Sequence, residues 1–533
     1  MDHSFQPPAF SLQPRLVIAG LSGDCGKTLI AAGLLKAARR AGLTARGFKK
    51  GPDYIDAAWL SWAAGSPARN LDSYMMGMER AVALFARHAA PAGFNLIEGN
   101  RGLHDGFDSS GTHSTAELAK ALDAPVVLAL NAAKVTRTLG ACVLGCQKLD
   151  PAVRIAGVIL NRVSGPRHER VLRESIEAIC GIPVLGVVPR ATEQLLLPGR
   201  HLGLVTPAEH PGREELEANL SRLLDGNLDL ERLLAIAGEG RCQARYLQNS
   251  AIRCRNRAAS VSERAPREAN AALREHPLAD ARGSVGITRI LQVPQVPGVR
   301  CQGAGASTVA EPAGLKIGYL KDSAFTFYYP DNLEALEQAG AQLIAISSLD
   351  QSELPEDLDC LYIGGGFPET HATRISANGP FLESLRRRAE AGLPIYAECG
   401  GLMLLSRAIV WQGNRYAMAG VLPFDVHMQA SPQGHGYSEL RVDHPNPFFP
   451  EGLVLRGHEF HYSRIVLEGE QPPTACAVLR GSGCFAARDA VIVGNVWASY
   501  THLHAVGAPE WAAGLLTAGS KVQRSKGPRV RGR

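Results

Sequence analysis

The chain has 533 residues, 45% of them hydrophobic and 20% charged, with a formal net charge of +5 at pH 7. This length exceeds what one hydrophobic core supports, so two or three domains are expected, and the mild charge gives no support to a nucleic-acid partner. Residues 1–13 lack a signal-peptide pattern and no apolar stretch is long enough to span a membrane, which predicts a cytoplasmic protein without a membrane partner.

The amino-terminal part of the chain alternates short apolar runs with stretches of helical character. The runs lie at 16–19, 94–97, 126–130 and 157–160. Continuous apolar strands separated by helices are typical of a parallel sheet that is covered on both faces. Residues 14–238 are therefore predicted to form a doubly wound α/β domain.

A glycine-rich loop follows the first apolar run and leads into a helical stretch. It reads Gly-Leu-Ser-Gly-Asp-Cys-Gly-Lys-Thr and ends at Thr28. Glycines such as Gly23 and Gly26 let backbone N–H groups turn inward on a phosphate. Lys27 can reach the β- and γ-phosphates, and the Thr28 hydroxyl can bind Mg²⁺. The glycines are spaced one residue wider than in the common phosphate loop, so the pattern predicts an ATP site with a variant loop.

Acidic and cationic residues follow two more of the predicted strands. Lys49, Asp53 and Asp56 belong to the segment Lys-Lys-Gly-Pro-Asp-Tyr-Ile-Asp, and Glu98 and Asp105 follow the next apolar run. Open α/β sheets place their ligand sites at the carboxyl ends of strands. These groups are therefore predicted to share one nucleotide and Mg²⁺ site with the glycine-rich loop, although each segment alone reads equally well as a solvated turn.

A second series of apolar runs starts at residue 316 and predicts another doubly wound α/β domain over 313–515. Between the two domains, residues 241–310 contain eleven arginines, no lysine and four acidic residues. This stretch lacks sustained periodicity, so 239–312 is predicted to be a disordered or loosely packed insert. An arginine-rich contact surface for an anionic partner is the alternative. Residues 520–533 are predicted to form a basic tail.

The second domain carries a cysteine on a predicted strand-to-helix turn. Cys399 follows an apolar strand and precedes two glycines and a helical run that is predicted to reach Ala408. A nucleophile on such a turn is exposed, and the helix N-terminus is expected to lower its pKa. Downstream, His502 and His504 are candidate bases for acyl transfer to the thiol. Gly364–Gly366 could present N–H groups to an oxyanion. A buried structural cysteine is the alternative.

In this order, the motifs resemble those of the cobyrinate a,c-diamide synthase family. The amino-terminal half is similar to dethiobiotin synthetase, which shares the widened phosphate loop, and the carboxy-terminal half is similar to class I glutamine amidotransferases. The resemblance covers nearly the whole chain apart from the insert and the two tails. It rests on the following segments: Gly20–Thr28, Lys49–Asp56, Asn70–Asp72, Glu98–Gly106, Gly157–Val163, Arg200–Leu204 and the turn at Cys399.

The resemblance implies amidation of the a and c acetate carboxylates of cobyrinic acid, a corrinoid polycarboxylate of cobalamin biosynthesis, with ATP and glutamine as co-substrates. ATP would activate each carboxylate as an acyl phosphate, and ammonia from glutamine would displace the phosphate. A related branch acts on hydrogenobyrinic acid, and another tetrapyrrole acid stays open as the substrate. The remote alternative is a nucleotide-switch ATPase with a non-functional glutaminase module. The expected partners are small molecules, and a homodimer is left open.

The resemblance also implies roles for individual residues. Asp56 and Asp105 would contact the reacting phosphate or orient the corrinoid carboxylate, and Asn161 would contact adenine. The expected metal ligands are Thr28, Asp53 and Glu98. The residues implied at the ATP–Mg²⁺ site offer backbone N–H, ammonium, hydroxyl or carboxylate groups: Gly23, Gly26, Lys27, Thr28, Lys49, Asp53 and Glu98.

For the second half, the resemblance implies that Cys399 is the nucleophile and favours His502 over His504 as its base, because His502 fits the Tyr-x-His pattern of class I amidotransferases. The family commonly lacks their third, acidic member, and no glutamate stands two residues after His502, so a catalytic dyad is expected. Two positions depart from the family pattern. Asn131 stands where an aspartate is usual, and residues 100–104 differ from the usual Val-Met-Gly-Leu-Tyr.

Overall fold

The computed structural model describes residues 13–190, 205–207, 209–210, 212–224, 226–239 and 314–525. In the amino-terminal half, the apolar runs form a parallel sheet with the strand order β3-β2-β4-β1-β5-β6-β7. Its strands are β1 (Arg15–Gly20), β2 (Ala45–Lys50), β3 (Arg69–Leu71), β4 (Phe94–Glu98), β5 (Val126–Asn131), β6 (Ile155–Val163) and β7 (Val184–Pro189).

Helices cover both faces of this sheet because successive side chains of each strand point to opposite sides. In β1, Leu16 and Ile18 pack with Leu34 on one face, whereas Val17 packs with Phe85 on the other. The helices are α1 (Lys27–Arg40), α2 (Tyr54–Ala64), α3 (Ser73–Met76), α4 (Met78–His88), α5 (Thr115–Ala121), α6 (Arg137–Leu149), α7 (Pro166–Cys180), α8 (Arg213–Leu224) and α9 (Leu230–Gly238).

The carboxy-terminal half contains a mixed ten-stranded sheet, in the order β21-β16-β15-β18-β19-β20-β11-β10-β8-β9, and a four-stranded sheet, in the order β13-β12-β14-β17. In the ten-stranded sheet, the five neighbouring strands β20, β11, β10, β8 and β9 are parallel. The bounds are β8 (Lys316–Leu320), β9 (Gln342–Ile346), β10 (Cys360–Ile363), β11 (Ile395–Glu398), β12 (Ala408–Trp411), β13 (Asn414–Ala417), β14 (Phe424–Met428), β15 (Gly434–Val442), β16 (Val454–His461), β17 (Ser463–Leu467), β18 (Thr474–Arg480), β19 (Arg488–Val493), β20 (Val496–Ser499) and β21 (His502–Leu503).

Helices of the carboxy-terminal half pack on its parallel strands, and buried aliphatic residues of β8, β10 and β11 form the centre of the core. The helices are α10 (Pro330–Gln338), a 3₁₀ turn (Pro368–His371), α11 (Ala372–Ala377), α12 (Gly379–Glu390), α13 (Gly400–Leu405) and α14 (Glu510–Ser525). Within the described ranges, no helix combines the length and the apolar character needed to cross a membrane.

Apolar and ionic contacts join the two halves. A small cluster combines Ile55 and Trp59 of α2 with Phe327 and Phe367 of the carboxy-terminal half. The buried Arg69 at the start of β3 donates to Asp331 at 3.1 Å and also pairs with Glu334. Further hydrogen bonds run from Tyr329 Oη to Pro52 O at 2.9 Å and from Tyr437 Oη to Asp72 Oδ2 at 2.8 Å.

The predicted class, two α/β domains built on parallel strands, is confirmed, while two predicted details are wrong. The helix after Cys399 ends at Leu405, and Ala408 already begins β12. Residues 520–525 of the predicted tail belong to α14. The arginine-rich insert, apart from Glu239, and the Arg200–Leu204 motif lie outside the described residues. The domain boundaries 14–238, 239–312 and 313–515 stay predictions.

Candidate functional site

The glycine-rich loop joins β1 to α1 and is held by a distant asparagine. Gly26 caps α1 in the left-handed conformation, with φ 89°, and a β-carbon there would collide with the Asn161 side chain. Only glycine is free of both penalties at this position. Asn161 Nδ2 donates to Cys25 O at 3.0 Å, so this amide fixes the loop, and its contact with adenine stays a prediction. Gly23 lies at the exposed tip of the loop.

Lys27 folds back over the loop. Its buried ammonium donates to Ser22 O and to Arg101 O, both at 2.9 Å. The two carbonyl oxygens come from the loop itself and from the segment after β4. The ammonium also donates to Cys25 Sγ at 3.6 Å, so these three contacts are all with neutral groups, and its charge stays available for a phosphate oxygen.

Four side chains predicted from separate motifs meet beside this loop. Thr28 Oγ1 donates to Glu98 Oε1 at 2.8 Å and contacts Asp56 Oδ1 at 3.2 Å. Lys49 Nζ donates to Asp56 Oδ2 at 2.6 Å and to Glu98 Oε1 at 3.0 Å. Asp53 is the N-cap of α2 and accepts the backbone N–H of Asp56 at 2.7 Å. We call these five residues the acidic cluster.

The acidic cluster holds more negative than positive charge. Burial raises the pKa of Glu98 to about 7, with a further rise from Asp56, although Lys49 opposes it. Burial and Asp56 likewise raise the pKa of Asp53 to about 6. Burial disfavours the charged form of Lys49, but Asp56 and Glu98 outweigh it and raise its pKa. Within the described part of the chain, Glu98 Oε2 is buried without a hydrogen-bond partner. Oxygen donors with surplus negative charge fit a hard divalent cation.

Asp105 does not contact the acidic cluster. Its Oδ2 accepts the backbone N–H of Gly102 at 2.8 Å, and its side chain is exposed beside the domain interface. Arg101 belongs to the segment 100–104 that departs from the family pattern. Its Nη2 lies 3.2 Å from His435 Nε2 of the carboxy-terminal half. At the second departure, Asn131 Oδ1 accepts the backbone N–H of Ala133 at 3.1 Å, a local turn contact.

Cys399 occupies a strained turn between β11 and α13. Its backbone has φ 48° and ψ −99°, an unfavourable region for a residue with a β-carbon. Cys399 N donates to Ser499 O at 2.7 Å, which ties the turn to the end of β20. The turn packs on the predicted glycine loop, since a β-carbon at Gly400 would lie 3.0 Å from Gly366 N. The predicted elbow is therefore present.

The expected lowering of the Cys399 pKa is wrong for this state. Burial raises the pKa of the thiol to about 12, and Glu369 and Glu398 add to the rise. The following helix has only six residues, so its dipole is short. A thiol in this environment needs a base to remove its proton.

His502 lies beside the same glycine loop. A β-carbon at Gly365 would lie 3.3 Å from His502 Nε2, while His502 Nδ1 lies 3.4 Å from Glu398 Oε2. The imidazole also packs on the rings of His458 and Tyr54, with centroids 5.0 and 5.3 Å away. His504 turns elsewhere, with Nε2 3.6 Å from Asp331 Oδ2.

Sequence reasoning missed two residues of this site. The amidotransferase pattern places the acid after His502, whereas Glu398 precedes Cys399. An acidic residue at the end of an apolar buried strand is an unusual feature and is the signal for it. The Lys49–Asp56 motif contains Tyr54 but predicts no role for it. Tyr54 opens α2 between Asp53 and Asp56 of the acidic cluster, and its ring contacts His502 across the domain interface.

A cavity of about 390 Å³ connects the two halves of the site. Its walls include residues next to the acidic cluster, residues of β15, β16 and β18, and the imidazole of His502. The polar and aromatic groups among them are Lys50, Asp53, Tyr54, Asn100, Arg101, Asp105, Phe107, His113, Phe327, His435, Tyr437, His458, Glu459, Phe460, Arg480 and His502.

Another group with metal-ligand spacing, His88, Asp331 and Glu334, lies at the domain interface. The Arg69 guanidinium already pairs with both carboxylates, and His504 approaches Asp331 as well. The guanidinium offsets the acidic charge, so the arrangement is an ionic interface contact. The acidic cluster remains the better place for a cation.

Known proteins resemble both halves of the chain. Residues 16–205 match the CobQ/CobB/MinD/ParA nucleotide binding domain, and residues 316–509 match the CobB/CobQ-like glutamine amidotransferase domain. The cobyrinate a,c-diamide synthase of Magnetococcus marinus is 40% identical over 94% of this chain and 96% of its own length. Those of Syntrophotalea carbinolica and Salmonella typhimurium are 38% and 32% identical over 93% and 95% of this chain, and 96% and 98% of their own. The chain therefore belongs to the cobyrinate a,c-diamide synthase family of ATP-dependent carbon–nitrogen ligases, which take the amide nitrogen from glutamine.

Proposed function

We propose that this enzyme amidates the a and c acetate carboxylates of cobyrinic acid, in the cytoplasm, through acyl phosphates. The observation that carries the proposal is the shared cavity, which has the acidic cluster's Asp53 on one wall and His502 on another. An acid bound there would lie between an ATP site and a source of ammonia. The proposed domains are 14–238 for ATP and acid and 313–515 for glutamine.

Cations on the cavity wall suit a substrate with several carboxylates. Lys50 is buried, and burial lowers its pKa although Asp72 opposes the shift. A substrate carboxylate would favour the charged form of this side chain. Arg101 and Arg480 approach the same cavity from the two halves, and Arg480 lies 4.0 Å from the Phe107 ring centroid. Tyr74, Phe107 and Tyr437 stack beside it and offer an apolar surface to a large ring.

In the first half-reaction, a substrate carboxylate oxygen attacks the γ-phosphorus of ATP and ADP leaves. Lys27 would exchange its two carbonyl contacts for phosphate oxygens, and the loop N–H groups would hold the β-phosphate. The orphaned Glu98 Oε2, Asp53 and the Thr28 hydroxyl fit Mg²⁺, which would neutralise phosphate charge. Asp56, bound to Lys49, would orient the reacting groups.

In the second half-reaction, His502 takes the proton of the Cys399 thiol, and the thiolate attacks the amide carbon of glutamine. The amide nitrogen leaves as ammonia with that proton, and water hydrolyses the thioester to glutamate. In the Gly364–Gly366 loop, the backbone N–H of Gly364 already donates to Tyr328 Oη at 2.9 Å, which leaves Gly365 and Gly366 as the candidates for the oxyanion. Ammonia then attacks the acyl carbon and phosphate leaves, which completes the amide.

The test is the mass of the product formed from cobyrinic acid and, separately, hydrogenobyrinic acid with ATP and glutamine. Gain of two amides on cobyrinic acid supports the proposal. Turnover of the cobalt-free acid alone would assign the chain to the other branch, and ATP hydrolysis without any amide would indicate a nucleotide switch. Cys399→Ser should lose the reaction with glutamine and keep it with ammonium salts, which separates the two half-reactions.

A further inference from the structure

We propose that Glu398 is the carboxylate that positions His502 for the glutamine half-reaction. The proposal rests on the proposed function only in taking His502 as the base for Cys399. It replaces the expected dyad by a Cys–His–acid arrangement in which the acid precedes the nucleophile, instead of following the histidine.

The contacts of Glu398 aim it at the imidazole. The carboxylate is completely buried, and its Oε2 lies 3.4 Å from His502 Nδ1. Its Oε1 accepts the backbone N–H of Leu503 at 3.1 Å, so one side chain contacts both the ring and the backbone of β21. Two tyrosine hydroxyls donate as well, Tyr396 at 3.2 Å and Tyr362 at 3.1 Å. This set of donors compensates the burial of a charged group.

Strand pairing explains why the acid can reach the histidine. β11 and β20 are parallel neighbours, with Glu398 opposite Ser499. The chain beyond Ser499 turns so that His502 enters β21, which pairs with β16 through His458. The end of β11 therefore supplies both the nucleophile and the acid, and the segment after β20 supplies the base.

The ring is oriented with Nδ1 towards Glu398, at ion-pair distance rather than in a hydrogen bond. With Nδ1 facing Glu398, the other nitrogen, Nε2, faces the glycine loop that also packs on the Cys399 turn. A carboxylate at Nδ1 favours the tautomer with its proton there and leaves the Nε2 lone pair to accept the thiol proton. The same carboxylate then stabilises the imidazolium. The other titratable groups packed on the ring are His458 and Tyr54.

The protein offers a matched control two residues away. His504 Nε2 lies 3.6 Å from Asp331 Oδ2, which is another buried histidine–carboxylate pair. Asp331 also pairs with Arg69 at 3.1 Å, and His504 packs on Tyr329 rather than on the glycine loop. This second pair belongs to the domain interface, so it should matter little for glutamine hydrolysis.

The experiment compares Glu398→Gln with Asp331→Asn in the full chain. Glutamate release is measured without a corrinoid, so the result does not depend on the identity of the acid substrate. Amide formation from ammonium salts and the melting temperature are measured alongside. For Glu398→Gln we expect kcat for glutamine hydrolysis to fall by up to about 10⁴-fold, the loss seen when a triad acid is changed to its amide, with KM nearly unchanged.

Further readouts separate positioning from a structural role. The loss in Glu398→Gln should shrink as pH rises, because the thiol then ionises without the base. Ammonia-driven synthesis should stay normal, and Asp331→Asn should keep glutamine hydrolysis. Glu398→Asp should recover part of the rate and serves if the glutamine variant does not fold. Normal hydrolysis in Glu398→Gln would overturn the proposal, and if that variant does not fold, so would a Glu398→Asp variant in which both reactions fall equally with a lower melting temperature.

Discussion

Replacing Glu98 by glutamine should stabilise the nucleotide-free protein at alkaline pH while it abolishes ATP-dependent amidation. The side chain is completely buried, and its pKa is raised from 4.5 to about 7 because burial disfavours the carboxylate. The folded state thus binds the proton more tightly than the unfolded chain. The stability contributed by the protonated group is fully present below pH 4.5 and is lost as pH rises through about 7.

The size of the effect follows from the shift. Between the ordinary and the raised pKa, charging Glu98 costs up to about 3 kcal/mol, at 1.36 kcal/mol per pKa unit. Glutamine avoids this cost and can still accept the hydrogen bonds of Thr28 and Lys49. Lys49 loses one countercharge but keeps Asp56 at 2.6 Å, which reduces the gain. We expect Glu98→Gln to be more stable than the unaltered protein by roughly 1–3 kcal/mol at pH 8 and about equal at pH 4.5.

Urea unfolding of the nucleotide-free protein at both pH values measures this difference. Comparing the two proteins cancels the titration of all other groups. Glu117→Gln, an exposed partner of Lys120, is the control and should show no pH-dependent difference. Glutamine hydrolysis should remain in Glu98→Gln. A variant that is destabilised by the same amount at both pH values would refute the idea that the acidic cluster holds surplus negative charge.

Three other substitutions test separate parts of the structure. Gly26→Ala should weaken nucleotide binding, measured by calorimetry, at least about tenfold, because the left-handed backbone and the Asn161 side chain exclude a β-carbon. Gly145→Ala, at an open position of α6, is the control and should leave nucleotide binding unchanged. Arg69→Met should lower the free energy of unfolding by about 3 kcal/mol, measured in urea, because Asp331 and Glu334 lose their guanidinium partner at the interface. An unchanged free energy of unfolding would contradict the buried pairing. Tyr54→Ala should raise glutamine consumption per amide formed, whereas Tyr54→Phe should keep the normal ratio; equal ratios would exclude a coupling role.

Local patterns were sufficient to predict which side chains meet at the amino-terminal candidate site. A continuous apolar run before Gly-Lys-Thr dictates β1, the loop and α1, and the rule that ligands bind at strand ends groups Lys49, Asp56 and Glu98. The structure brings these three side chains together through one ammonium and one hydroxyl. The sequence does not predict that Asn161 holds the glycine-rich loop. This hydrogen bond depends on the order of β1, β5 and β6 in the sheet.

The carboxy-terminal site depended more on tertiary packing. The turn at Cys399 is a local feature, so the sequence predicts it. The partner of His502 is not local, because Glu398 reaches it only through the register of β11 and β20. The Cys399 pKa is also a property of the folded surroundings, where burial and Glu369 oppose the helix terminus. Patterns of neighbouring residues therefore predict neither the contact between Glu398 and His502 nor the raised pKa of Cys399.

The apolar cluster between the two halves determines whether each half can be produced as a separate polypeptide. Ile55, Trp59, Phe327 and Phe367 would face water if either half were produced alone, and Tyr54 would lose the rings that enclose it. Two genes encoding residues 1–239 and 314–533 should therefore give polypeptides that copurify when expressed together and precipitate when expressed apart. In that format, subunit exchange would allow each half-reaction to be mutated, labelled and assayed in a hybrid with an unmodified partner.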